Sequence, residues 1–286
     1  MNVRPSAATR IVGLLGWPVA HSLSPVMMNA AFEESGLDLV YLALPTPPSR
    51  LHLAVEALET WQAVGANVTI PHKIDVMAHC DELTDEAELV GAVNTLAWTA
   101  DGLVGHNTDA VGLGHVFEDE LVIGAGERVV VLGTGGAARA VAVAAGRLGT
   151  ACTVVGRRID AAREVAALAE LAGAAEADEV DLAEDAEVAR QVEDARLVVN
   201  ATPLGLGGED LPAPFRRLQR GQIAYDLIYN PVETPFLAAA RNGGADAHHG
   251  LGMLVAQAEA AYRTWTGQEA PAGVMSAAAM AALASN

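Results

Sequence analysis

The feature that most constrains the fold is an apolar run leading into a glycine-rich turn, in residues 128–140. The run opens with RVVVL, which is β-branched and does not alternate with polar residues, as is typical of a strand buried on both faces. The alanine-rich segment that continues to Leu148 predicts a helix. Between the two, Gly133, Gly135 and Ala138 match the G-x-G-x-x-G/A pattern, whose small residues let a helix N-terminus approach a pyrophosphate. Glycines also make tight turns without a chemical role, so a dinucleotide site and a plain turn both stay open at this point.

The residues after the next predicted strand favour one cofactor. The run 150–155 again predicts a strand, and Gly156-Arg157-Arg158 follows it, where an NAD-binding unit usually carries an Asp or Glu for the ribose 2′-hydroxyl. Guanidinium groups hold a 2′-phosphate through charge-assisted hydrogen bonds, so the pair indicates NADP rather than NAD. The alternative is two solvated arginines at the start of a helix.

The charge balance argues against several classes of partner. With 17 basic and 36 acidic residues the net charge is −19, which would repel nucleic acid and anionic membranes except at local basic sites. The apolar C-terminal run 270–286 is shorter than the roughly 20 strongly apolar residues that span a bilayer, and it predicts a packing helix. Cys80 and Cys152 are far apart and lack metal-ligand spacing, so we expect no disulfide and no bound metal, and a reducing cytoplasm fits best.

Strand-like and helix-like runs alternate along the chain, which predicts an α/β fold, and 286 residues suffice for two modest domains. In the first part the expected strands are 11–15, 37–44, 66–70 and 93–98, and the expected helices are 25–35, 49–61 and 71–80. Asp101-Gly102 predicts a hairpin that ends this domain as an antiparallel edge, before a helix over about 109–121. In the second part we expect strands near 197–200, 222–226 and 245–247, then a helix over 251–265 and a final helix after Gly267. The acidic stretch 174–194 is interpreted as a solvated helical face with its loop.

Polar clusters follow the predicted strands of the first part, at the strand ends where open α/β sheets bind ligands. The first cluster contains Ser22 and Ser24. Ser24 before Pro25 is a good helix N-cap, and two alternating hydroxyls can equally hold a carboxylate. Both interpretations stay open.

The second cluster contains Asn67, Thr69 and Lys73. Asn67 and Thr69 alternate along a strand end, and a helix opened by Pro71 would place Lys73; the alternative is a solvated surface lysine. The remaining clusters, 91–95 and 105–109, end in Asn-Thr and Asn-Thr-Asp, and Asn-Thr-Asp before a helix is first of all capping chemistry.

Together with YDLIYNP at 225–231 and GLGMLVAQ at 250–257, these motifs resemble the shikimate dehydrogenase family over residues 13–257. The resemblance implies a discontinuous α/β substrate-binding catalytic domain, 1–109 and 250–286, and an inserted Rossmann-like, doubly wound NADP-binding domain, 110–249. It also implies the NADPH-dependent interconversion of 3-dehydroshikimate and shikimate in chorismate and aromatic amino acid biosynthesis. The implied protein is a cytoplasmic monomer or homodimer that binds a small-molecule substrate, but no nucleic acid and no membrane.

Carried over position by position, the resemblance implies a role for each site residue. Lys73 and Asp109 would form the catalytic pair, with Lys73 either the proton donor or chiefly an electrostatic stabiliser. The implied substrate contacts are Ser22, Ser24 and Tyr229 at the carboxylate, and Thr69, Asn94, Asp109 and Gln257 at the ring hydroxyls. The implied cofactor contacts are Gly133, Gly135, Gly136 and Ala137 at the pyrophosphate, Arg157 and Arg158 at the 2′-phosphate, Asn200, Ala201 and Thr202 near the ribose and nicotinamide, and Gly250 near the carboxamide.

Other functions stay open. A quinate/shikimate dehydrogenase of the same fold typically uses NAD, and an aminoshikimate dehydrogenase is a further relative. The arginine pair argues against NAD, and the paired serines fit shikimate better than quinate. A non-catalytic protein that senses a dinucleotide or a shikimate-like acid is less consistent with the presence of both Lys73 and Asp109.

Overall fold

The computed structural model describes residues 5–285, in a chain that divides into two compact units. The first unit contains the residues up to Asp109 together with those from Val255 onwards, and the second unit is Ala110–Leu254. From the sequence, we predict the boundaries between the two domains after residues 109 and 249.

Ten α-helices lie within residues 5–285. They are α1 (Ser24–Glu34), α2 (Leu51–Thr60), α3 (Asp85–Val90), α4 (Asp109–His115), α5 (Gly136–Arg147), α6 (Ile159–Ala172), α7 (Asp185–Asp194), α8 (Pro235–Gly243), α9 (Leu251–Thr266) and α10 (Val274–Ala284). A π-helical turn, Val116–Glu120, continues α4.

Twelve strands lie in the same described range and form two six-stranded sheets. They are β1 (Arg10–Gly16), β2 (Leu39–Pro45), β3 (Gly65–Val68), β4 (Glu82–Leu83), β5 (Thr95–Thr99), β6 (Gly102–His106), β7 (Arg128–Leu132), β8 (Ala151–Gly156), β9 (Glu176–Asp181), β10 (Leu197–Asn200), β11 (Ile223–Asp226) and β12 (Asp246–His249).

The sheet of the first unit has the order β2-β1-β3-β5-β6-β4. The predicted hairpin β5–β6 is present, but the prediction that it forms the edge is wrong, because β4 pairs with β6 in parallel on its outer side. The reason lies in Asp81, whose backbone N–H and carboxylate both bond to the backbone of Leu103 at 2.8 Å. Gly102 permits this approach, since a Cβ there would lie 2.4 Å from the Asp81 carboxylate.

The helix predicted over 71–80 is also wrong. The segment is a turn followed by a short 3-10 helix, Asp75–His79. The backbone carbonyl of Lys73 accepts a hydrogen bond from the N–H of Val93 at 2.7 Å, so it is bonded across to the neighbouring loop instead of along a helix. Lys73 therefore lies in a turn tied to the loop that precedes β5.

A polar contact attaches helix α9 to the first sheet. The indole N–H of Trp265 donates to the carbonyl of Leu96 in β5 at 2.9 Å. A side chain on Gly65 in β3 would prevent this, since its Cβ would lie 2.1 Å from the indole nitrogen. The glycine thus fixes where the C-terminal part of the chain packs.

The sheet of the second unit is entirely parallel, with the order β12-β11-β10-β7-β8-β9. Numbered from β7, this is the 3-2-1-4-5-6 order of a dinucleotide-binding Rossmann fold, so the predicted fold class is confirmed. Its central strands β7 and β8 are buried almost throughout, as their β-branched composition predicted.

One prediction for this unit is wrong. The acidic stretch 174–194 contains a strand, β9, before the expected helix α7. Among the strands of residues 5–285, β9 pairs only with β8. It lies at the edge of the sheet, where its acidic side chains stay partly solvated and discourage pairing with another chain. Within residues 5–285, no helix is long and apolar enough to cross a membrane.

Candidate active site

Lys73 and Asp109 form an ion pair at the end of the first sheet. Nζ of Lys73 lies 2.5 Å from Oδ2 of Asp109, which is the first residue of α4. The lysine side chain is 14% exposed and the aspartate 4% exposed. The structure therefore brings together the two residues predicted to carry the chemistry, and part of the lysine side chain stays accessible.

Asn94 braces this pair from behind. Its Oδ1 accepts from the backbone N–H of Thr108 at 2.8 Å, which sets the orientation of the amide. Its Nδ2 consequently donates to Oδ1 of Asp109 at 2.8 Å and to Oγ1 of Thr108 at 2.9 Å. Both carboxylate oxygens of Asp109 thus have a fixed donor, one from Asn94 and one from Lys73.

Ser22 and Ser24 lie together at the start of α1. Oγ of Ser22 donates to Oγ of Ser24 at 3.2 Å and accepts from the backbone N–H of Ser24 at the same distance. The proposed N-cap role of Ser24 is wrong: the helix begins at Ser24, Leu23 occupies the cap position, and no side chain caps it. Ser24 is therefore not an N-cap, while the Ser22 hydroxyl supplies an acceptor for the first N–H of the helix.

Thr69 lies beside the loop that carries these serines. A Cβ on Gly16, the last residue of β1, would lie 2.3 Å from Cγ2 of Thr69, and the N–H of Trp17 donates to the carbonyl of Ile70 at 2.9 Å. The loops after β1 and β3 are thus adjacent. Gln257 is buried in α9 in the same unit.

In the second unit, the glycine turn joins β7 to α5. The N–H of Gly133 donates to the carbonyl of Val155 at 2.9 Å, and its φ of +125° brings it against the carbonyl of Ala201. Gly135 differs: its φ of −84° is ordinary, and nothing lies within 4 Å of a Cβ built on it. Gly136 and Ala137 begin α5, whose first N–H groups have no intrahelical acceptor. This open turn at a helix N-terminus suits a pyrophosphate.

Arg157 and Arg158 follow β8 and are exposed. In the part of the chain that the structure describes, neither guanidinium is hydrogen bonded or ion paired. Gly156 places them near the glycine turn, because a Cβ there would lie 2.7 Å from the Thr134 side chain. Two unpaired cations beside a pyrophosphate turn fit the 2′-phosphate of NADP.

The segment Asn200–Thr202 continues β10 past the glycine turn. The N–H of Ala201 donates to the carbonyl of Leu132, and the amide oxygen of Asn200 accepts from both the N–H and the hydroxyl of Thr202, at 3.1 and 2.7 Å. Asn200 is buried, and its Nδ2 donates to Leu204 and Asp226. The Asn200 side chain therefore shapes this loop from within.

Asp226 is a residue to which the sequence analysis gave no role. It ends β11 directly beside Asn200 and is fully buried. Burial raises the pKa of the Asp226 carboxyl, against hydrogen bonds from Thr234, Ile228 and Asn200. The signal in the sequence that could have identified Asp226 is its position as an acidic residue at the end of an apolar strand.

Gly250 and Tyr229, the remaining predicted site residues, lie in the second unit. The N–H of Gly250 donates to the carbonyl of Ile228 at 3.1 Å, and a Cβ on Gly250 would lie 2.3 Å from the carbonyl of Leu227, so no larger residue fits. Tyr229 follows β11 and is partly buried.

Known families match both ends of the chain. Residues 14–96 match the model of the shikimate dehydrogenase substrate binding domain, and residues 250–280 match that of the shikimate 5′-dehydrogenase C-terminal domain. The chain is 42% identical over 279 residues to the shikimate dehydrogenase (NADP+) of Geobacter sp. (strain M21), covering 96% of each protein.

Solved structures agree along the whole length. The crystal structure of a shikimate dehydrogenase in complex with NADP+ matches with a TM-score of 0.88 and 34% identity, covering 98% of both chains. The enzyme from Thermus thermophilus in complex with NADP(H) and shikimate matches with a TM-score of 0.84 and 35% identity, covering 96% of this chain and 100% of that one.

Proposed function

Because the chain belongs to the shikimate dehydrogenase family, we propose that it catalyses the NADPH-dependent, reversible reduction of 3-dehydroshikimate to shikimate. The observation that carries the proposal is the braced Lys73–Asp109 ion pair, in which Nζ of the partly accessible lysine side chain lies 2.5 Å from the carboxylate. The proposal places substrate binding in the first unit and NADP binding in the second.

The Lys73–Asp109 ion pair has a defined role in the reduction of the ketone. NADPH supplies a hydride to the ketone carbon, and negative charge then develops on the ketone oxygen. The ammonium of Lys73 stabilises that charge, and it carries a proton that the oxygen needs to become a hydroxyl. Asp109 and Asn94 hold the ammonium in place, so little reorganisation is required during the reaction.

Substrate recognition follows from the paired hydroxyls. In a chain with a net charge of −19, a carboxylate substrate needs local donors, and Ser22 and Ser24 supply neutral ones close together. We assign them to the substrate carboxylate with Tyr229. Thr69, Asn94, Asp109 and Gln257 are assigned to the ring hydroxyls.

The cofactor assignment rests on the glycine turn and the arginine pair. The open backbone at Gly135, with Gly136 and Ala137 at the start of α5, is assigned to the pyrophosphate. The unpaired Arg157 and Arg158 are assigned to the 2′-phosphate, in line with the names of the NADP-dependent relatives. Gly133, Ala201 and Thr202, shaped by Asn200, are assigned to the neighbouring part of the dinucleotide, and Gly250 to the carboxamide end. The proposed enzyme acts in the cytoplasm as a monomer or homodimer.

The decisive experiment follows NADPH absorbance after addition of 3-dehydroshikimate, and in the reverse direction compares initial rates with NADP and NAD on shikimate and quinate. We expect turnover in both directions, with NADP preferred over NAD and shikimate over quinate. Preference for NAD with quinate would favour the quinate/shikimate relatives. Binding of shikimate without any turnover would favour a ligand-sensing homologue and would contradict the proposal.

A further inference from the structure

A buried chain of polar side chains continues behind Asn94. Thr95, the first residue of β5, has 0% exposed surface. Its hydroxyl donates to Oδ1 of Asn94 at 3.0 Å and accepts from Nδ2 of Asn67 at 3.0 Å. Thr95 therefore links Asn94 to the interior of the sheet and has no surface with which to touch a ligand.

Asn67 holds the other end of this link. Its Oδ1 accepts from the hydroxyl of Tyr41 at 2.7 Å, which fixes the amide so that Nδ2 faces β5. Nδ2 then donates to the backbone carbonyl of Asn94 at 3.1 Å as well as to Thr95. Both ends of the Asn67 amide are hydrogen bonded, and in a buried network of this kind each bond constrains the next.

The order of donors and acceptors sets the orientation of Asn94. Its Oδ1 accepts from three donors, the N–H of Thr108 at 2.8 Å and the hydroxyls of Thr95 and Thr108 at 3.0 and 3.2 Å, so a flipped amide would place its NH₂ group against an N–H. The unflipped amide presents Nδ2 to Asp109. The hydroxyl of Thr95 thus acts on the Asp109–Lys73 pair through Asn94.

We propose that Thr95 and Asn67 are positioning residues for the Asp109–Lys73 pair, acting through the amide of Asn94. The inference rests on the proposed function, because its readout is turnover of shikimate. The proposal requires a hydroxyl group at position 95 and an amide at position 67. With 0% and 5% of their surfaces exposed, both residues act through Asn94 and not on a ligand.

The test compares Thr95→Val, which removes the hydroxyl at nearly constant shape, with Thr95→Ser, which keeps the hydroxyl and loses the methyl group. We expect Thr95→Val to lower kcat for shikimate about tenfold, the worth of one buried hydrogen bond, with KM for NADP unchanged. Thr95→Ser should keep kcat within about twofold of the wild type, although loss of the buried methyl group should lower its thermal stability. Thr150→Val is the matched control, since Thr150 is equally buried and its hydroxyl donates only to the carbonyl of Ala145.

A second comparison separates positioning from general damage. In an Asp109→Asn background, Thr95→Val should change kcat by less than about twofold, because its effect passes through Asp109. Wild-type kcat in Thr95→Val, an equal loss in Thr95→Ser, or an undiminished loss in the Asp109→Asn background would each overturn the inference.

A variant at Tyr41, the other end of this chain of hydrogen bonds, tests the inference if Thr95→Val does not fold. Tyr41→Phe removes only the hydroxyl that orients Asn67, and it should lower kcat about threefold, a fraction of one hydrogen bond. Tyr262→Phe, which removes a hydroxyl bonded to Ser35 at 2.6 Å, should leave kcat unchanged. Equal kcat in Tyr41→Phe and Tyr262→Phe would contradict the inference. A wild-type protein without shikimate turnover would instead refute the proposed function itself.

Discussion

The two glycines of the turn after β7 should fail in different ways when each is replaced by alanine. Gly133 has a φ of +125°, and a Cβ there would lie 3.0 Å from the Ala201 carbonyl and 3.1 Å from the Thr202 side chain. A residue with a side chain in such a conformation costs about 1–3 kcal/mol before any crowding. For a loss of about 2 kcal/mol, the Tm of Gly133→Ala should fall by roughly 4–8 °C.

Gly135→Ala should show the opposite behaviour. Its φ of −84° and ψ of −176° suit any residue, and no atom lies within 4 Å of the new Cβ, so the Tm should stay within about 1 °C of the wild type or rise slightly. The methyl group would occupy the open space assigned to the pyrophosphate. Loss of one hydrogen bond to a charged phosphate, about 1.5–3 kcal/mol, should raise the Kd for NADP about 10- to 100-fold.

The assay pairs thermal unfolding without ligand with a calorimetric titration of NADP for each variant. Gly126→Ala is the control for backbone strain alone, since Gly126 has a φ of +79° with nothing within 4 Å of a Cβ. It should lose stability without losing NADP affinity. An unchanged Tm in Gly133→Ala would refute the strain argument, and an unchanged Kd in Gly135→Ala would refute the assignment of the turn to the pyrophosphate.

Four further results are expected. Lys73→Ala should lower kcat by about 10²–10⁴ with the fold intact, as loss of a positioned acid/base group does, and near-normal turnover would remove Lys73 from the mechanism. Replacing Arg157 and Arg158 together by Ala should raise KM for NADP at least about tenfold and leave KM for NAD unchanged, so an equal loss with both cofactors would contradict the 2′-phosphate assignment. Burial raises the pKa of the Cys152 thiol to about 12, so iodoacetamide should label it only after unfolding; rapid labelling of the native protein would show that it is accessible. Burial lowers the pKa of His106, so below about pH 6.5 the unfolded state binds more protons and the free energy of unfolding should fall as the pH falls; His106→Gln should flatten this dependence in Tm measurements, and an unaltered slope would refute it.

The second unit was the easier to predict because its signals are local. Apart from Arg128 and Thr153, the strands β7 and β8 contain no polar or charged side chain, and a parallel sheet covered on both faces buries such runs. The glycine turn after β7 is also a local signal, since Gly133 needs a conformation that other residues rarely adopt. Here sequence pattern, backbone conformation and fold agree.

The errors share a physical cause. In every case except the N-cap predicted at Ser24, a contact distant in sequence overrides the local preference. A turn replaces the predicted helix at Lys73 because the backbone carbonyl of Lys73 is hydrogen bonded to the N–H of Val93. The segment β9 is a strand because it pairs with β8, although four of its six side chains are acidic. The link from Tyr41 through Asn67 spans 26 positions, which no periodicity can reveal.

Asn94 shows how the structure refines an expectation that came from resemblance. Both protons of its amide are already donated, one to Asp109 and one to the hydroxyl of Thr108. If Asn94 also contacts a ring hydroxyl through its NH₂ group, that hydroxyl must replace Thr108, because giving up Asp109 would release the Lys73–Asp109 ion pair. The Thr108 hydroxyl would keep a partner, since its own proton can go to Oδ1 of Asn94 at 3.2 Å or to Oγ1 of Thr95 at 3.3 Å. Substrate contact at Asn94 is therefore coupled to the same buried hydroxyl that orients it.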